Sequence, residues 1–249
     1  MIIWITGAST GLGRETARQY VEQGHKVFAS ARSFDKLQQL ADECANLNGH
    51  LEQLPADVCD VEAMADAYAQ IKHAAGIPDL VILNAGTFFP TPAETFSLED
   101  HRSIMEVNYF GVLNGLGPVL PDFIERGTGE IGVVASLAGY RGLPNASAYG
   151  ASKAALINFC ETLKPELESH GVDLRQINPG CIETPLTEQN EFPMPFLMPV
   201  GAAATHMIKG LASGGFEITF PTRFAFVMKL LRLLPDRLFF AIARRMLAG

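Results

Sequence analysis

Residues 2–13 read IIWITGASTGLG, a short apolar run that leads into a glycine-rich turn, and a helix-like pattern follows. An all-apolar run of this length is typical of a strand that is buried on both faces of a parallel sheet. Glycines let a ligand approach the backbone, and a helix N-terminus offers unpaired N–H groups and a partial positive charge. This order predicts a phosphate-binding turn, the alternative being a tight turn without a ligand. The residues assigned to the turn are Gly7, Ser9, Thr10, Gly11, Leu12 and Gly13.

The alternation of apolar runs and helical patterns continues along the chain. Further strands are predicted at 26–32, 50–54, 80–83, 130–135, 172–177 and 216–220, and further helices at 35–45, 61–75, 98–124, 149–169, 200–213, 223–234 and 237–247. Regular alternation indicates a parallel sheet with right-handed crossovers, so the fold class is α/β. With 249 residues, 48% of them hydrophobic, the chain is long enough for one large domain.

Composition and charge exclude several classes of protein. The longest apolar runs fall far below the roughly 18 residues that span a bilayer, and the first residues lack the basic start of a signal peptide. The four cysteines have no C-x-x-C spacing, which favours reduced thiols in a cytoplasmic protein over a metal site or a disulfide. A net charge of -8 argues against general nucleic-acid binding. We therefore expect a cytoplasmic protein without a metal site.

The end of the second predicted strand bears on the choice of cofactor. A site that prefers NAD places an acid about twenty residues past the glycines, where it binds the ribose 2′-hydroxyl. Ala31 and Arg32 stand there instead. Arginine favours the 2′-phosphate of NADP through charge attraction and paired hydrogen bonds. The sequence therefore predicts NADP(H) in preference to NAD(H), the alternative being that Arg32 is a solvated charge at a strand end.

Two candidate segments follow the third and fourth strands, at the edge where ligands gather in sheets of this kind. Asp57 and Val58 come after the third strand. The carboxylate of Asp57 would accept a hydrogen bond from an adenine amine or would cap the next helix, and the sequence favours neither. Asn84, Ala85 and Gly86 close the fourth strand, where small residues let a cofactor lie close to the backbone.

Further polar candidates lie later in the chain. Ser136 follows the fifth strand, where its hydroxyl reaches a ligand or caps a turn. Pro179 and Gly180 set a rigid turn after the sixth strand, and Thr184 is placed to hydrogen-bond an amide-bearing ligand. Asn108 lies inside an apolar helical segment and needs hydrogen-bond partners if it is buried.

Tyr149 and Lys153 stand four residues apart at the start of a helical pattern, so their side chains share one face. A phenol with an ordinary pKa of about 10 is a poor acid/base at neutral pH. A neighbouring ammonium favours the phenolate and typically lowers such a pKa by about 1 to 3 units. The pair therefore predicts a usable acid/base, although on spacing alone an exposed tyrosine beside a solvated lysine is the simpler interpretation.

Together these residues resemble the short-chain dehydrogenase/reductase family over roughly residues 1–184. Each motif is weak or moderate alone, but all occur in the family's order. They are Thr6-Gly7-x-x-x-Gly11-x-Gly13, Asn84-Ala85-Gly86, Asn108, Ser136, Tyr149-x-x-x-Lys153 and Pro179-Gly180-x-Ile182-x-Thr184. The resemblance implies a Rossmann-type doubly wound sheet with strand order 3-2-1-4-5-6-7, which binds a nicotinamide cofactor across the strand C-termini. It places Ile182 and Thr184 at the carboxamide side of that cofactor.

The resemblance also implies a catalytic role for four residues. Tyr149 would exchange a proton with the carbonyl or alcohol oxygen of the substrate. Lys153 would lower the pKa of the phenol and bind the ribose hydroxyls. Ser136 would hold the substrate oxygen, and Asn108 would position a water that links Lys153 to solvent.

The expected function is that of an NADP-dependent oxidoreductase acting on a carbonyl or alcohol. The alternative is a catalytically silent NADP-binding regulatory or scaffold protein. A third hypothesis is that the chain catalyses an epimerase or dehydratase reaction. Residues of about 185–213 resemble a substrate lid, and their methionines and phenylalanines favour a lipophilic or bulky substrate. Those side chains would otherwise simply cover the core.

Residues 221–249 form a basic tail after the domain of residues 1–220. Six basic residues and one acid give the tail a net charge of +5. Since the net charge of the whole chain is -8, the preceding residues carry -13. Apolar residues repeat there at helical spacing on either side of Pro235. A basic amphipathic helix binds an anionic membrane surface. The alternatives are packing over the substrate cleft or against another subunit of a homo-oligomer.

Overall fold

The computed structural model describes residues 1–187, 194 and 196–247, and its strands form a single parallel sheet. The strands are β1 Ile2–Thr6, β2 Lys26–Ala31, β3 His50–Pro55, β4 Leu80–Leu83, β5 Gly129–Val134, β6 Val172–Pro179 and β7 Glu217–Phe220. Their order across the sheet is β3-β2-β1-β4-β5-β6-β7. The predicted α/β class, the doubly wound Rossmann type and the strand order are therefore confirmed.

Helices connect the strands and cover both faces of the sheet. The helices are α1 Gly11–Glu22, α2 Phe34–Cys44, α3 Val61–Ala75, α4 Leu98–Met105, α5 Gly111–Leu116, α6 Leu120–Arg126, α7 Ser147–Glu168, α8 Val200–Ala212, α9 Thr222–Leu233 and α10 Asp236–Leu247. Helices α1, α2 and α8 cover one face, and α3, α5, α6, α7 and α9 cover the other. The sheet is buried between two apolar layers, which fits its nearly uninterrupted apolar strands.

Strand β1 shows how this arrangement follows from the sequence. Its side chains alternate between the faces, so Trp4 joins one layer while Ile3 and Ile5 join the other. The indole of Trp4 stacks on Tyr68, with the ring centroids 6.1 Å apart. Its N–H donates to Ser30 Oγ at 2.8 Å, which satisfies the one polar atom of this fully buried side chain.

The prediction of one continuous helix over 98–124 is wrong. Helix α4 passes into a π-helical turn, Glu106–Phe110, before α5 begins, and three residues separate α5 from α6. The π-helical turn contains Asn108, which is fully buried and hydrogen-bonded to the backbone of Thr87. Such a turn is often found at a functional site. The apolar spacing alone gave no sign that the helix would change its winding at this asparagine.

The segment that follows β6 is closed at its base by a short parallel pairing of Ile182 with Met198. Residues 188–193 and 195 of the predicted lid lie outside the described residues. The last part of the predicted lid is α8, which packs beside α1. Thus the lid segment, 185–213, ends in a helix of the core layer.

The close packing of the glycine turn on Asn84 can be tested through the stability of the protein. A Cβ atom at Gly13 would lie 2.3 Å from Asn84 Nδ2 and 2.5 Å from the carbonyl oxygen of Gly7. We expect Gly13→Ala to lower the free energy of unfolding by about 1–3 kcal/mol, since backbone or the asparagine must shift. At Gly142 a Cβ would meet nothing within 4 Å. Gly142→Ala, the control, should stay within about 0.5 kcal/mol. Equal midpoints in urea for both variants would contradict the close contact.

Candidate active site

The glycine turn is held against the end of strand β4 by a set of hydrogen bonds. Asn84 Nδ2 donates to the carbonyl oxygens of Thr6 and Gly7, at 3.0 and 3.2 Å. In return, Thr6 Oγ1 accepts the backbone N–H groups of Asn84 and Ala85. Gly7 has a φ of +67°, and a Cβ there would lie 2.6 Å from Ala85 Cα. Asn84 and Ala85 therefore fix the shape of the turn.

The same turn has the features of a dinucleotide site. The N-cap residue of α1, Thr10, makes no side-chain capping hydrogen bond, which leaves N–H groups of the first turn for a ligand. A Cβ at Gly11 would lie 3.2 Å from Thr184 Cγ2, so the turn and the segment after β6 meet. Ser9 is partly exposed, whereas the side chain of Leu12 is buried in the core, so only the backbone of Leu12 is available to a ligand.

Arg32 and Asp57 lie at the same edge of the sheet, where the charges of both side chains affect the pKa of the Cys59 thiol. Burial and the Asp57 carboxylate raise the pKa of Cys59 to about 11, while the Arg32 guanidinium opposes that rise. Arg32 is exposed and makes no ion pair with the residues that the structure describes. Its guanidinium is thus free to meet a phosphate.

The contacts around Asp57 exclude one of its two predicted roles, that of capping the next helix. Helix α3 is capped by Asp60, whose carboxylate accepts the N–H groups of Glu62 and Ala63, so Asp57 does not serve as that cap. Asp57 Oδ1 accepts the N–H of Cys59 at 3.0 Å. The adjacent Val58 is buried and faces Gly111, where a Cβ would lie 2.7 Å from Val58 Cγ2.

Lys153 lies at the centre of the proposed catalytic group and is only 3% exposed. Its Nζ donates to the carbonyl oxygen of Val134 at 2.8 Å and lies 5.7 Å from the centroid of the Tyr149 ring. A Cβ at Gly86 would lie 3.6 Å from the same nitrogen. Burial lowers the pKa of Lys153 to about 8, because the ammonium loses most of its hydration.

Tyr149 is partly buried, and its ring packs edge-on against Phe88 with centroids 5.1 Å apart. Burial raises the pKa of Tyr149, hydrogen bonding with Ser136 lowers it, and the thiol of Cys181 raises it. The net direction is upward, whereas the sequence predicted a lowered pKa. The physical reason is that removal of the phenolate from water outweighs the stabilising contacts.

Ser136 serves as a turn cap, which is one of the two roles that the sequence left open. As the N-cap of a short 3-10 helix, Leu137–Gly139, it accepts the N–H of Ala138 at 3.1 Å. Its own hydroxyl donates to the carbonyl oxygen of Pro179 at 3.4 Å, a long bond. The hydroxyl also interacts with the phenol of Tyr149, so the two hydroxyl groups lie close to each other.

Asn108 forms hydrogen bonds with two of the segments that surround Lys153. Its Nδ2 donates to the carbonyl oxygen of Thr87 and to Ser152 Oγ, both at 3.0 Å, and its Oδ1 accepts the N–H of Thr87 at 2.7 Å. A Cβ at Gly86 would lie 3.3 Å from that oxygen. The amide therefore fixes the segment after β4 against α7.

The segment after β6 reaches both the glycine turn and the tail. The N–H of Gly180 donates to the carbonyl oxygen of Phe220 at 2.8 Å, and a Cβ at Gly180 would lie 2.6 Å from the ring of Phe224. The carbonyl oxygen of Ile182 accepts the hydroxyl of Thr187, which also accepts the N–H of Thr184. These bonds place Thr184 beside Gly11.

Several residues of this site were missed by the sequence analysis. Thr6 was named there only as the first residue of the glycine motif, although a polar residue at the end of an otherwise apolar strand was a visible signal. Ser152 was visible as a polar residue between Tyr149 and Lys153, and it is fully buried against Asn108. Phe88 carried no signal, because a lone aromatic residue in a loop has many uses.

The chain is similar to known proteins over most of its length. Residues 1–193 match a family model described as short chain dehydrogenase. An uncharacterized oxidoreductase from Myxococcus xanthus (strain DK1622) is 40% identical over 242 residues, which cover 97% of this chain and 96% of that protein. A short-chain dehydrogenase from Sphingobium yanoikuyae in complex with NADPH has a TM-score of 0.81 and 22% identity, over 94% of this chain and 96% of its own. A variant of the actinorhodin polyketide ketoreductase with NADPH has a TM-score of 0.79 and 25% identity, over 88% and 95%.

The protonation of Lys153 provides a direct test of the site's electrostatics. We expect its side-chain nuclear magnetic resonance signal to titrate with a midpoint of about 8, with Lys153→Met identifying the signal by its loss. An unfolded lysine holds its proton to a pH of about 10.4. The unfolded chain therefore binds more protons between these values, and the stability of the native protein relative to Lys153→Met should rise with pH across this window. A midpoint near 10 would contradict the burial of the ammonium.

Proposed function

The chain belongs to the short-chain dehydrogenase/reductase family, and we propose that this oxidoreductase transfers hydride between NADP(H) and a carbonyl or alcohol group of a lipophilic substrate, with Tyr149 as acid/base. The observation that carries the proposal is the meeting of Ser136, Tyr149 and Lys153 at the same sheet edge as the glycine turn. Family membership supports a nicotinamide cofactor. The remaining assignments rest on the chemistry of this chain's own residues.

The proton chemistry is assigned to Tyr149 and Ser136. A carbonyl oxygen that becomes an alcohol gains negative charge in the transition state, and donors fixed beforehand stabilise that charge. Tyr149 donates its proton to that oxygen. The hydroxyl of Ser136 exchanges its long bond to the carbonyl oxygen of Pro179 for a hydrogen bond to the same substrate oxygen. The raised pKa of Tyr149 keeps the phenol protonated at neutral pH, which suits the donor role. When bound, the nicotinamide supplies or accepts the hydride.

Lys153 supports the phenol and binds the cofactor's ribose. An ammonium has three donors, and the one bond to Val134 leaves two for ribose hydroxyls. Its charge below a pH of about 8 also favours any phenolate that forms at Tyr149. Asn108 holds the surrounding segments in place through its hydrogen bonds. We also assign to Asn108 the positioning of a water molecule that links Lys153 to solvent.

The cofactor's remaining contacts are assigned along the edge of the sheet. The glycine turn binds the pyrophosphate, Arg32 the 2′-phosphate, and Asp57 with Val58 the adenine. At Gly7 and Gly13 the absence of a Cβ lets the turn pack closely on Asn84 and Ala85, and this packing shapes the turn that we assign to the pyrophosphate. The further contacts are Ser9, Thr10, Gly11, Leu12, Asn84, Ala85, Tyr149, Lys153, Pro179, Gly180, Ile182 and Thr184. The NADPH in the ketoreductase structure supports the choice of NADP(H).

The substrate is assigned as lipophilic from the aromatic surroundings of Tyr149. Phe88 packs on its ring, and Phe196 and Leu197, within the lid segment, expose apolar surface next to the segment after β6. Phe196 lies 6.1 Å from Phe224 of the tail, centroid to centroid. Apolar walls of this kind are typical of small-molecule sites. The segment 185–213 is accordingly proposed as the substrate lid.

A catalytically silent NADP-binding regulatory or scaffold protein remains the second candidate. It would bind the cofactor with no need for an acid/base. The contact of Tyr149 with Ser136 favours the enzyme, because a binding protein gains nothing from a polar pair placed at the cofactor edge. We keep the cytoplasmic location as a prediction, supported by four free cysteines, and the homo-oligomer as a prediction as well.

Removal of the phenol hydroxyl tests the acid/base assignment. We expect Tyr149→Phe to lower kcat by about 10²–10⁴-fold while leaving the Kd for NADPH nearly unchanged, because only the proton donor is lost. Tyr20→Phe is the matched control, since the ring of Tyr20 packs at a tilt against His25, which precedes β2 at the end of the sheet away from the site. Consumption of NADPH with a panel of aldehydes, ketones and lipid-derived carbonyls is the measurement. Unchanged turnover in Tyr149→Phe would remove Tyr149 from its role, and no turnover by the native protein would favour the silent alternative.

The cofactor preference is tested at Arg32. Hydrogen bonds to a charged group contribute about 1.5–3 kcal/mol, so Arg32→Ala should weaken NADPH binding about 10- to 150-fold. Binding of NADH, which lacks the 2′-phosphate, should change little. Arg102→Ala removes another exposed arginine, on α4, and controls for net charge. Equal losses for both cofactors, measured by fluorescence titration, would refute the assignment.

A further inference from the structure

Helix α9 has an apolar inner face and an apolar outer face. The inner face buries Ala225 and Met228 in the core layer beside α7. On the outer face, Phe226, Leu230 and Leu233 follow helical spacing and are 70%, 53% and 80% exposed. Packing against the core thus explains the inner face only. An outer row of large exposed apolar side chains needs a separate explanation.

Helix α10 follows α9 in the chain and also exposes apolar side chains. It buries Phe239 but exposes other large apolar side chains on both sides of it. We call the exposed large apolar side chains of α9 and α10 the tail surface, and its members are Phe226, Val227, Leu230, Leu233, Leu238, Phe240, Met246 and Leu247. Among the described helices, none is both long and apolar enough to cross a bilayer. The tail surface is therefore suited to contact at a surface.

The charged residues around the tail surface indicate which kind of partner it binds. Lys229 pairs with Glu217, Arg141 pairs with Asp236, and Arg232 lies over the ring of Tyr140. The remaining basic residues of the tail are exposed and have no ion pair within the part of the chain that the structure describes. They are Arg223, Arg237, Arg244 and Arg245. Unpaired arginines beside exposed apolar side chains are complementary to an anionic, partly apolar surface.

We propose that the tail surface docks on the surface of an anionic lipid bilayer, with its apolar side chains in the headgroup region and its arginines on lipid phosphates. A second copy of this chain is a poorer occupant. Two tail surfaces brought face to face would oppose their unpaired arginines, and like charges in a closed interface are costly. The acidic remainder of the chain is repelled by such a bilayer, but that repulsion is screened beyond roughly 8–10 Å.

Docking would also place the site close to the lipid. Phe224, on the inner side of α9, touches Gly180 of the segment after β6. A lipophilic substrate dissolved in the bilayer would then reach the cleft over a short path. This last step alone rests on the proposed function, whereas binding to lipid is measured without any turnover.

The experiment is co-sedimentation of the full chain with phosphatidylcholine vesicles that contain or lack phosphatidylserine. We expect binding to the anionic vesicles, a decrease with added salt, and little binding to the neutral ones. The triple variant Phe226→Ser, Leu230→Ser, Leu233→Ser should lose at least about tenfold in partition coefficient. Arg244→Gln with Arg245→Gln should lose about 30-fold, as two basic residues are removed.

A matched control comes from α4 and the residues before it, where Phe96, Leu98 and Arg102 are similarly exposed. The variant Phe96→Ser, Leu98→Ser, Arg102→Gln should bind anionic vesicles as the native chain does. An equal loss in this control, or no preference for anionic vesicles in the native chain, would overturn the proposal. A fall in molar mass of the triple variant, without vesicle binding by the native chain, would instead identify an interface between copies. If the triple variant fails to fold, the two-arginine variant decides the test.

Discussion

The contact between the glycine turn and the end of strand β4 is the constraint on which the site depends. Two strands that lie side by side end in loops that touch, and the contact is possible only because Gly7 and Gly13 have no side chains. Asn84 fills the space and satisfies two carbonyl oxygens, while Thr6 satisfies two N–H groups. The turn is thus shaped by the protein before any ligand arrives, which lowers the ordering cost of binding.

The balance between burial and charge sets the chemistry of Tyr149 and Lys153. At an effective dielectric constant of 20, unit charges about 5 Å apart interact by roughly 3 kcal/mol. Full burial shifts a pKa by up to about 3–5 units, which is roughly 4–7 kcal/mol. Burial is the larger effect here, so the pKa of the phenol rises and the pKa of the ammonium falls. Both groups are therefore protonated at neutral pH, each with a proton to donate.

The sequence predicted the parts of the fold that depend on local patterns, and it failed where contacts between distant residues decide. Strand β4 and helix α3 have the predicted bounds, because an uninterrupted apolar run defines the strand and apolar residues at helical spacing between Asp60 and Gly76 define the helix. The break in the helix at Asn108 depends on Thr87, which is distant in sequence, so spacing could not reveal it. The direction of the Tyr149 pKa depends on how much water the folded chain excludes, and a spacing of four residues carries no such information.

The pairing of Ile182 with Met198 has a consequence for how this chain can diversify. It joins the two ends of the loop by backbone hydrogen bonds, Glu183 to Met198 and Met198 to Cys181. Because the entropy of closing a loop grows only slowly with its length, residues between such fixed ends tolerate insertion and replacement. On the proposed assignment of residues 185–213 as the substrate lid, evolution or a protein engineer would alter substrate preference there without disturbing Ser136, Tyr149 and Lys153.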